Sequence, residues 1–152
     1  MVKRLECWAE NNRMKMKNVS IEEVKQVGYE LAMKYMEWKE PIPDFSTRFP
    51  NVLEQCIEAP FQTFQGQLYK GLIEKSAILF YLMIKNHPFQ NGNKRIAVVT
   101  LLYFLFKNKT WLKIDNQRLY NFAKWVAESD ASLKEETVLA IRKILKENIV
   151  RK

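Results

Sequence analysis

His87-Pro88-Phe89-Gln90-Asn91-Gly92-Asn93-Lys94-Arg95 is the stretch on which the reading of this chain turns. Pro88 has no N–H and disfavours helix at the residue before it, so a helix arriving at His87 must stop there. Gly92 permits a positive φ or a close backbone approach, and Asn93 can then open a new helix. On the upstream side, Leu72 to Asn86 reads as one helix. Its segment Ala77-Ile78-Leu79-Phe80-Tyr81-Leu82-Met83-Ile84 is apolar all round, the mark of a helix inside a core. On the downstream side a second apolar helix should run from about Asn93 to Lys107. Two buried helices joined by a tight polar turn predict an all-α bundle with this turn at one end.

Working outward, the remaining elements are helices with punctuated ends. Ser20-Ile21-Glu22-Glu23 has the form of a capping box, followed by Ile21, Val24, Val27 and Leu31 at helical spacing. That helix should run to about Lys39, where Pro41-Ile42-Pro43-Asp44 ends it. The basic segment up to residue 19 is weakly patterned, a lead-in or a short extra helix. Pro50 suits a first helical position, and the helix it opens should end before Pro60. Residues 61–69, Phe61-Gln62-Thr63-Phe64-Gln65-Gly66-Gln67-Leu68-Tyr69, place β-prone residues on both sides of a glycine and predict a small hairpin or flap. Asp115 to about Ser129 is amphipathic through Leu119, Phe122, Ala123 and Val126. Ser132-Leu133-Lys134-Glu135 reads as a second capping box, opening a basic helix with Val138, Ile141, Ile144 and Leu145 inward. No repeat, low-complexity tract or linker divides residues 1–152, so a single domain is expected.

The composition narrows the partners. With 152 residues, 47% hydrophobic and only four glycines and five prolines, the chain can bury a substantial core. Lys+Arg exceed Asp+Glu by 25 to 17, a formal +8 that favours anionic partners without choosing among them. The basic terminal helix and lead-in read as solvated faces. Nucleic-acid binding is the minor reading, because aromatics are not interleaved with the charges. Cys7 and Cys56 lack metal spacing and fit reduced thiols in a cytoplasmic protein. Met1-Val2-Lys3-Arg4-Leu5-Glu6 has no apolar h-region, and the longest apolar run, Ile96 to Phe106, is too short for a bilayer, so neither a secretory signal nor a membrane span is expected.

The nine-residue turn carries the chemistry. A helix start reached through a glycine points N–H groups at an anion. Lys94 and Arg95 add positive charge there, and an arginine can bind phosphate with a two-pronged fork. Cations in a first turn oppose the helix dipole, which an anion would offset. His87 is the one histidine of the sequence and the natural acceptor for a hydroxyl proton. Read blandly, His87 is a helix-ending residue, Gln90 and Asn91 are turn formers, and Thr63 to Leu68 is an ordinary surface hairpin.

These residues resemble the signature of the Fic/Doc family, His-Pro-Phe-x-(Asp/Glu)-Gly-Asn-(Gly/Lys)-Arg. Thr63-Phe64-Gln65-Gly66-Gln67-Leu68-Tyr69 is similar to the flap of death-on-curing (Doc) toxins, and Glu74-Lys75 with Ile84-Lys85-Asn86 resembles the helix leading into their motif. The likeness covers roughly residues 50 to 125. It implies a compact Fic-like helical bundle and an ATP-dependent transferase acting on a Ser, Thr or Tyr hydroxyl of a protein. His87 would be the base and Phe89 a core anchor. Gly92, Asn93, Lys94 and Arg95 would hold the phosphates, and Thr63, Phe64, Gln65 and Gly66 would dock the target as an added strand.

Lys94 stands where AMP-transferring members have glycine, and Val98 where they carry a second arginine. Both features resemble the Doc branch and imply phosphoryl rather than AMP transfer. Asn91 occupies the place of the acid that holds Mg²⁺, and an amide oxygen is a weaker ligand for that ion. The alternative is therefore a Fic-like binding protein with impaired catalysis. The family's inhibitory pattern has its nearest match at Ser132 to Glu136, followed by Thr137, where a capping box suffices. A separate antitoxin protein is the better expectation for a partner.

Overall fold

The computed structural model describes residues 16–29 and 45–151. The expected helix end near Lys39, its Pro41–Asp44 stop, Cys7 and most of the basic lead-in lie outside the described residues. Six helices and a two-stranded antiparallel sheet make up the described part: α1 (Ile21–Glu23, continuing as a wider π-helical coil Val24–Tyr29), α2 (Pro50–Glu58), α3 (Leu72–Lys85), α4 (Asn93–Lys107), β1 (Thr110–Leu112), α5 (Asn116–Glu128), α6 (Lys134–Asn148) and β2 (Ile149–Arg151). The fold is all-α, and its centre is the antiparallel pair α3 and α4.

α3 is buried on nearly every side. Leu72, Ile73, Ala77, Ile78, Leu79, Phe80, Tyr81, Met83 and Ile84 all lie in the core, because α2, α4, α5 and α6 surround it. Each large apolar side chain taken out of water there contributes about 1.5–3 kcal/mol. α4 answers with Ile96, Ala97, Val98, Leu101, Phe104 and Leu105. α5 is capped by Asp115, which accepts from the Arg118 N–H at 3.2 Å, and turns Leu119, Ala123 and Val126 inward. The half-buried Phe122 ring lies 6.4 Å from Phe80 and 5.5 Å from Trp125, stacked on both. Lys85 at the end of α3 donates to Ala127 O and Ser129 O, putting a cation on the carbonyl end of α5.

The capping box of α1 forms as expected. Ser20 Oγ accepts from the Glu23 N–H, and Glu23 Oε1 accepts from the Ser20 N–H, each at 3.1 Å. Glu23 has a second task that the motif did not announce. Its carboxylate also accepts from Lys107 Nζ at 2.6 Å and Tyr103 Oη at 2.5 Å, tying α1 to the end of α4. Nearby, Asn108 pairs with both the N–H and the C=O of Lys17, so the segment before α1 is clasped as well.

Two expectations change. Ser132 does not cap α6: Asp130 accepts from the Ser132 N–H at 2.9 Å, draws Ala131–Leu133 into a 3-10 turn, and the helix starts at Lys134 with Leu133 at its N-cap. The face of α6 is also rotated, with Thr137, Ile141 and Leu145 buried and Val138 and Ile144 only partly so. Unforeseen altogether is the β1–β2 pair, in register Thr110↔Arg151, Trp111↔Val150 and Leu112↔Ile149. It buries Leu112 and Ile149 while Trp111 lies half-exposed beside Phe106.

Candidate active site

At the α3–α4 turn the backbone follows the sequence closely. α3 ends at Lys85 with Asn86 as C-cap, and the next residue, His87, has a φ of +50°. Helices commonly end on such a left-handed residue, but it is usually glycine; for a side-chain-bearing residue the conformation costs of order 1–3 kcal/mol. Gly92, the N-cap of α4, takes the positive φ expected of it, +73°.

The strain at His87 persists because the turn is held from several directions. Phe89 is 1% exposed, and its ring lies 5.7 Å from that of Phe45. The Arg48 guanidinium covers Phe45 at 4.4 Å. The Phe49 N–H donates to Pro88 O at 2.8 Å, fastening the turn to the start of α2. Strongest of all is a two-sided clamp: Asn93 Oδ1 accepts from the Phe89 N–H and Asn93 Nδ2 donates to Phe89 O, both at 2.9 Å and both buried. The same Nδ2 stands 3.5 Å from His87 Nδ1. Because the Asn93 carboxamide is committed to Phe89, the part of Asn93 that can meet an anion is its backbone N–H.

His87, Gln90 and Asn91 are exposed at this end, Lys94 is half-buried, and Arg95 is only 5% exposed. Val98, one turn further, is wholly buried among apolar neighbours, so no cation stands at that position. From His87 to Arg95 the loop contains no carboxylate, and no cluster of three His, Cys, Asp or Glu side chains exists among the described residues. This donor set does not make a Mg²⁺ cage. Cys56, buried nearby on α2, is no nucleophile: burial pushes its thiol up to about 11, against a hydrogen bond from Asn86.

The flap occupies the other end of α3. Thr63 and Gln67 form a single antiparallel bridge, closed by Phe64 N–H to Gly66 O and Leu68 N–H to Gln62 O. Gln65 and Gly66 turn the tip with φ of +52° and +112°. Thr63, Phe64, Gln65 and Gly66 are all exposed, Phe64 at 76%. The flap root adjoins the first turn of α3 and His87 follows its last, so about 20 Å of helix separates them. The structure thus brings His87, Gly92, Asn93, Lys94 and Arg95 together in one turn and roots the flap at the opposite end of α3.

Sequence reasoning missed two sets of supporting residues. Phe45, Arg48 and Phe49 buttress the turn from a segment with no periodic signal. Lys75 was noted only as part of a resemblance, yet it is a lysine 1% exposed in the core helix. Its one sequence-level sign is a charge inside an otherwise apolar run.

The helices that hold the turn also locate the chain among known proteins. No curated protein and no solved structure matches it. The family model described as Fic/DOC family matches residues 18–105, beginning earlier than the motif alone suggested and ending within α4. That span exceeds half of the chain and takes in α1, the flap and the whole His87–Arg95 turn, so the chain belongs to the Fic/DOC family, whose members are typically transferases.

Proposed function

We propose that this protein transfers a phosphoryl group from ATP to a Ser, Thr or Tyr hydroxyl of another protein, in the manner of the Doc branch. The observation that carries the reading is the clamped turn: it holds an exposed histidine beside a helix start that bears Lys94 and the buried Arg95. His87 takes the hydroxyl proton as the target oxygen attacks the terminal phosphorus. The bond to the bridging oxygen breaks in line, and ADP leaves with that electron pair. The amides at the start of α4, with Lys94 and Arg95, bear the phosphate charge. The Lys94 side chain and the apolar burial of Val98 support phosphoryl over AMP transfer.

Any Mg²⁺ accompanying ATP would rest mainly on phosphates and water, since Asn91 offers only an amide oxygen. A target segment adding a strand to the flap and reaching His87 spans up to the length of α3, about six extended residues. A cytoplasmic toxin or regulator restrained by a separate antitoxin protein completes this reading. Among the described residues no helix is long and apolar enough to cross a membrane.

A second reading is favoured by Asn91: a nucleotide-binding relative that does not turn over. The two separate in one experiment, in which the wild type, His87→Ala and Asn91→Asp are incubated in lysate with α- or γ-labelled ATP. Transfer predicts label from the γ position alone, lost in His87→Ala and increased in Asn91→Asp. Label from the α position would replace phosphoryl by AMP transfer. No label from either, with Asn91→Asp equally silent, would overturn catalysis and leave the binding protein.

A further inference from the structure

The flap has little of its own to hold it. A single bridge, made by two backbone hydrogen bonds, connects its arms, and residues 62–66 are exposed. A lone two-stranded hairpin is marginal in water. What fixes it lies underneath. Lys75, in the first turns of α3, sends its ammonium to Pro60 O at 3.1 Å, to Gln67 Oε1 at 3.2 Å and to Tyr69 O. Pro60 and Tyr69 are the two roots of the flap, and Gln67 is on its returning arm. All three N–H donors of one side chain therefore converge on the flap. Phe61, at the outgoing root, lies 4.9 Å from the same ammonium and packs edge-on against Phe104 of α4 at 6.3 Å.

The chemistry of this contact is unusual for a core. None of the three acceptors is a carboxylate, so the charge is solvated by carbonyl groups alone, with Glu74 adding only a longer-range attraction. Burial accordingly holds the lysine below its ordinary range. An apolar side chain of similar length would fill the space without that desolvation. It would not orient two strand roots, because only a donor can bind both carbonyls at once.

We propose that Lys75 is the positioning residue of the flap, fixing Thr63–Gly66 in the orientation in which a target segment is gripped. The inference rests on the flap as the docking element of the proposed transferase. Lys75 lies at the far end of α3 from His87, so it acts on target capture and leaves nucleotide binding and chemistry unchanged.

Two measurements on the full chain test it. The first is amide hydrogen exchange in Lys75→Met and Gln67→Ala. In Lys75→Met the amides of residues 62–69 should exchange about ten- to hundredfold faster, the effect of losing two or three hydrogen bonds, while the Phe89 amide keeps its protection. Gln67→Ala, which removes one acceptor from a half-exposed site, should show a smaller rise in the same amides. It carries the test alone if Lys75→Met does not fold. Unchanged flap exchange in the folded variants would overturn the positioning role, whatever the flap does.

The second measurement is γ-label transfer from ATP as a function of lysate protein concentration. The half-saturating protein concentration should rise several-fold, with the plateau rate and the ATP dependence unchanged. Faster flap exchange with an unchanged half-saturation would overturn the link to target capture, leaving Lys75 a structural lysine. Failure of the wild type to label any protein would instead count against the transferase reading, and the exchange result would stand independently.

Discussion

Replacing Asn93 by alanine tests the central claim about the turn, that one carboxamide holds it. The substitution removes two buried hydrogen bonds of 2.9 Å and leaves the Phe89 N–H and C=O without those partners beside a ring that is 1% exposed. Stranding a buried polar group costs about 1–3 kcal/mol. Gln90 and Asn91 beside it are exposed, so water can relieve part of this. The lower half of the range applies, about 2–4 kcal/mol for the two groups together. Alanine returns roughly half a kcal/mol through its better helix propensity. The net loss is about 1.5–3.5 kcal/mol, or a fall in Tm of roughly 3–14 °C for a domain of this size. Urea denaturation gives the free energy, and amide exchange locates it at Phe89. Asn93→Asp keeps an acceptor for the Phe89 N–H and puts negative charge at a helix start, so it should lose about half as much. An Asn93→Ala protein within about 0.5 kcal/mol of the wild type, with the Phe89 amide still protected, would refute the clamp.

Two further outcomes follow from the other end of α4. Burial opposes ionisation of Glu23, but hydrogen bonds from Lys107 and Tyr103 outweigh it and the carboxyl titrates below its ordinary 4.5. The stability it contributes is therefore present above pH 4.5 and lost as the pH falls through the lower folded value. Tyr103, raised from 10.0 first by its bond to Glu23, contributes stability present below pH 10 and lost above it. Glu23→Gln should flatten both limbs of a stability-versus-pH curve; unchanged limbs would show that this network is idle. Ile149→Ala, which empties the buried face of β2, should cost about 2–4 kcal/mol in urea denaturation, and a change under about 1 kcal/mol would mean that the β1–β2 pair merely decorates the surface.

What the sequence could and could not say follows from how far each signal acts. The ends of α3 and α4 were legible because Pro88 and Gly92 act on their own and adjacent φ and ψ angles. The flap was legible through Gly66, whose φ of +112° few other residues adopt. The Ser132 capping box failed because a competitor two residues earlier, Asp130, reached the Ser132 N–H first. β1 and β2 are three residues each and far apart in the chain, too short for any alternation to register. Lys75 and Asn93 act on backbone carbonyls and amides, which every residue has, so no spelling of side chains announces the convergence. The residues of the turn and its Phe89 anchor could be read from the sequence; the hydrogen bonds that hold the turn and the flap root could not.

That division bears on Asn91. Among the described residues, the bonds that join Asn93 to Phe89 and Phe49 to Pro88, and the Phe45–Phe89 ring contact, fix the turn without Asn91. A change from acid to amide at this exposed position therefore leaves the fold of the turn alone and acts on ligand handling. Here His87 holds a left-handed φ beside Asn93 and the buried Arg95, with an amide at position 91. Under the proposed function, Asn91→Asp is therefore expected to change labelling from ATP while leaving the stability of the turn as it is.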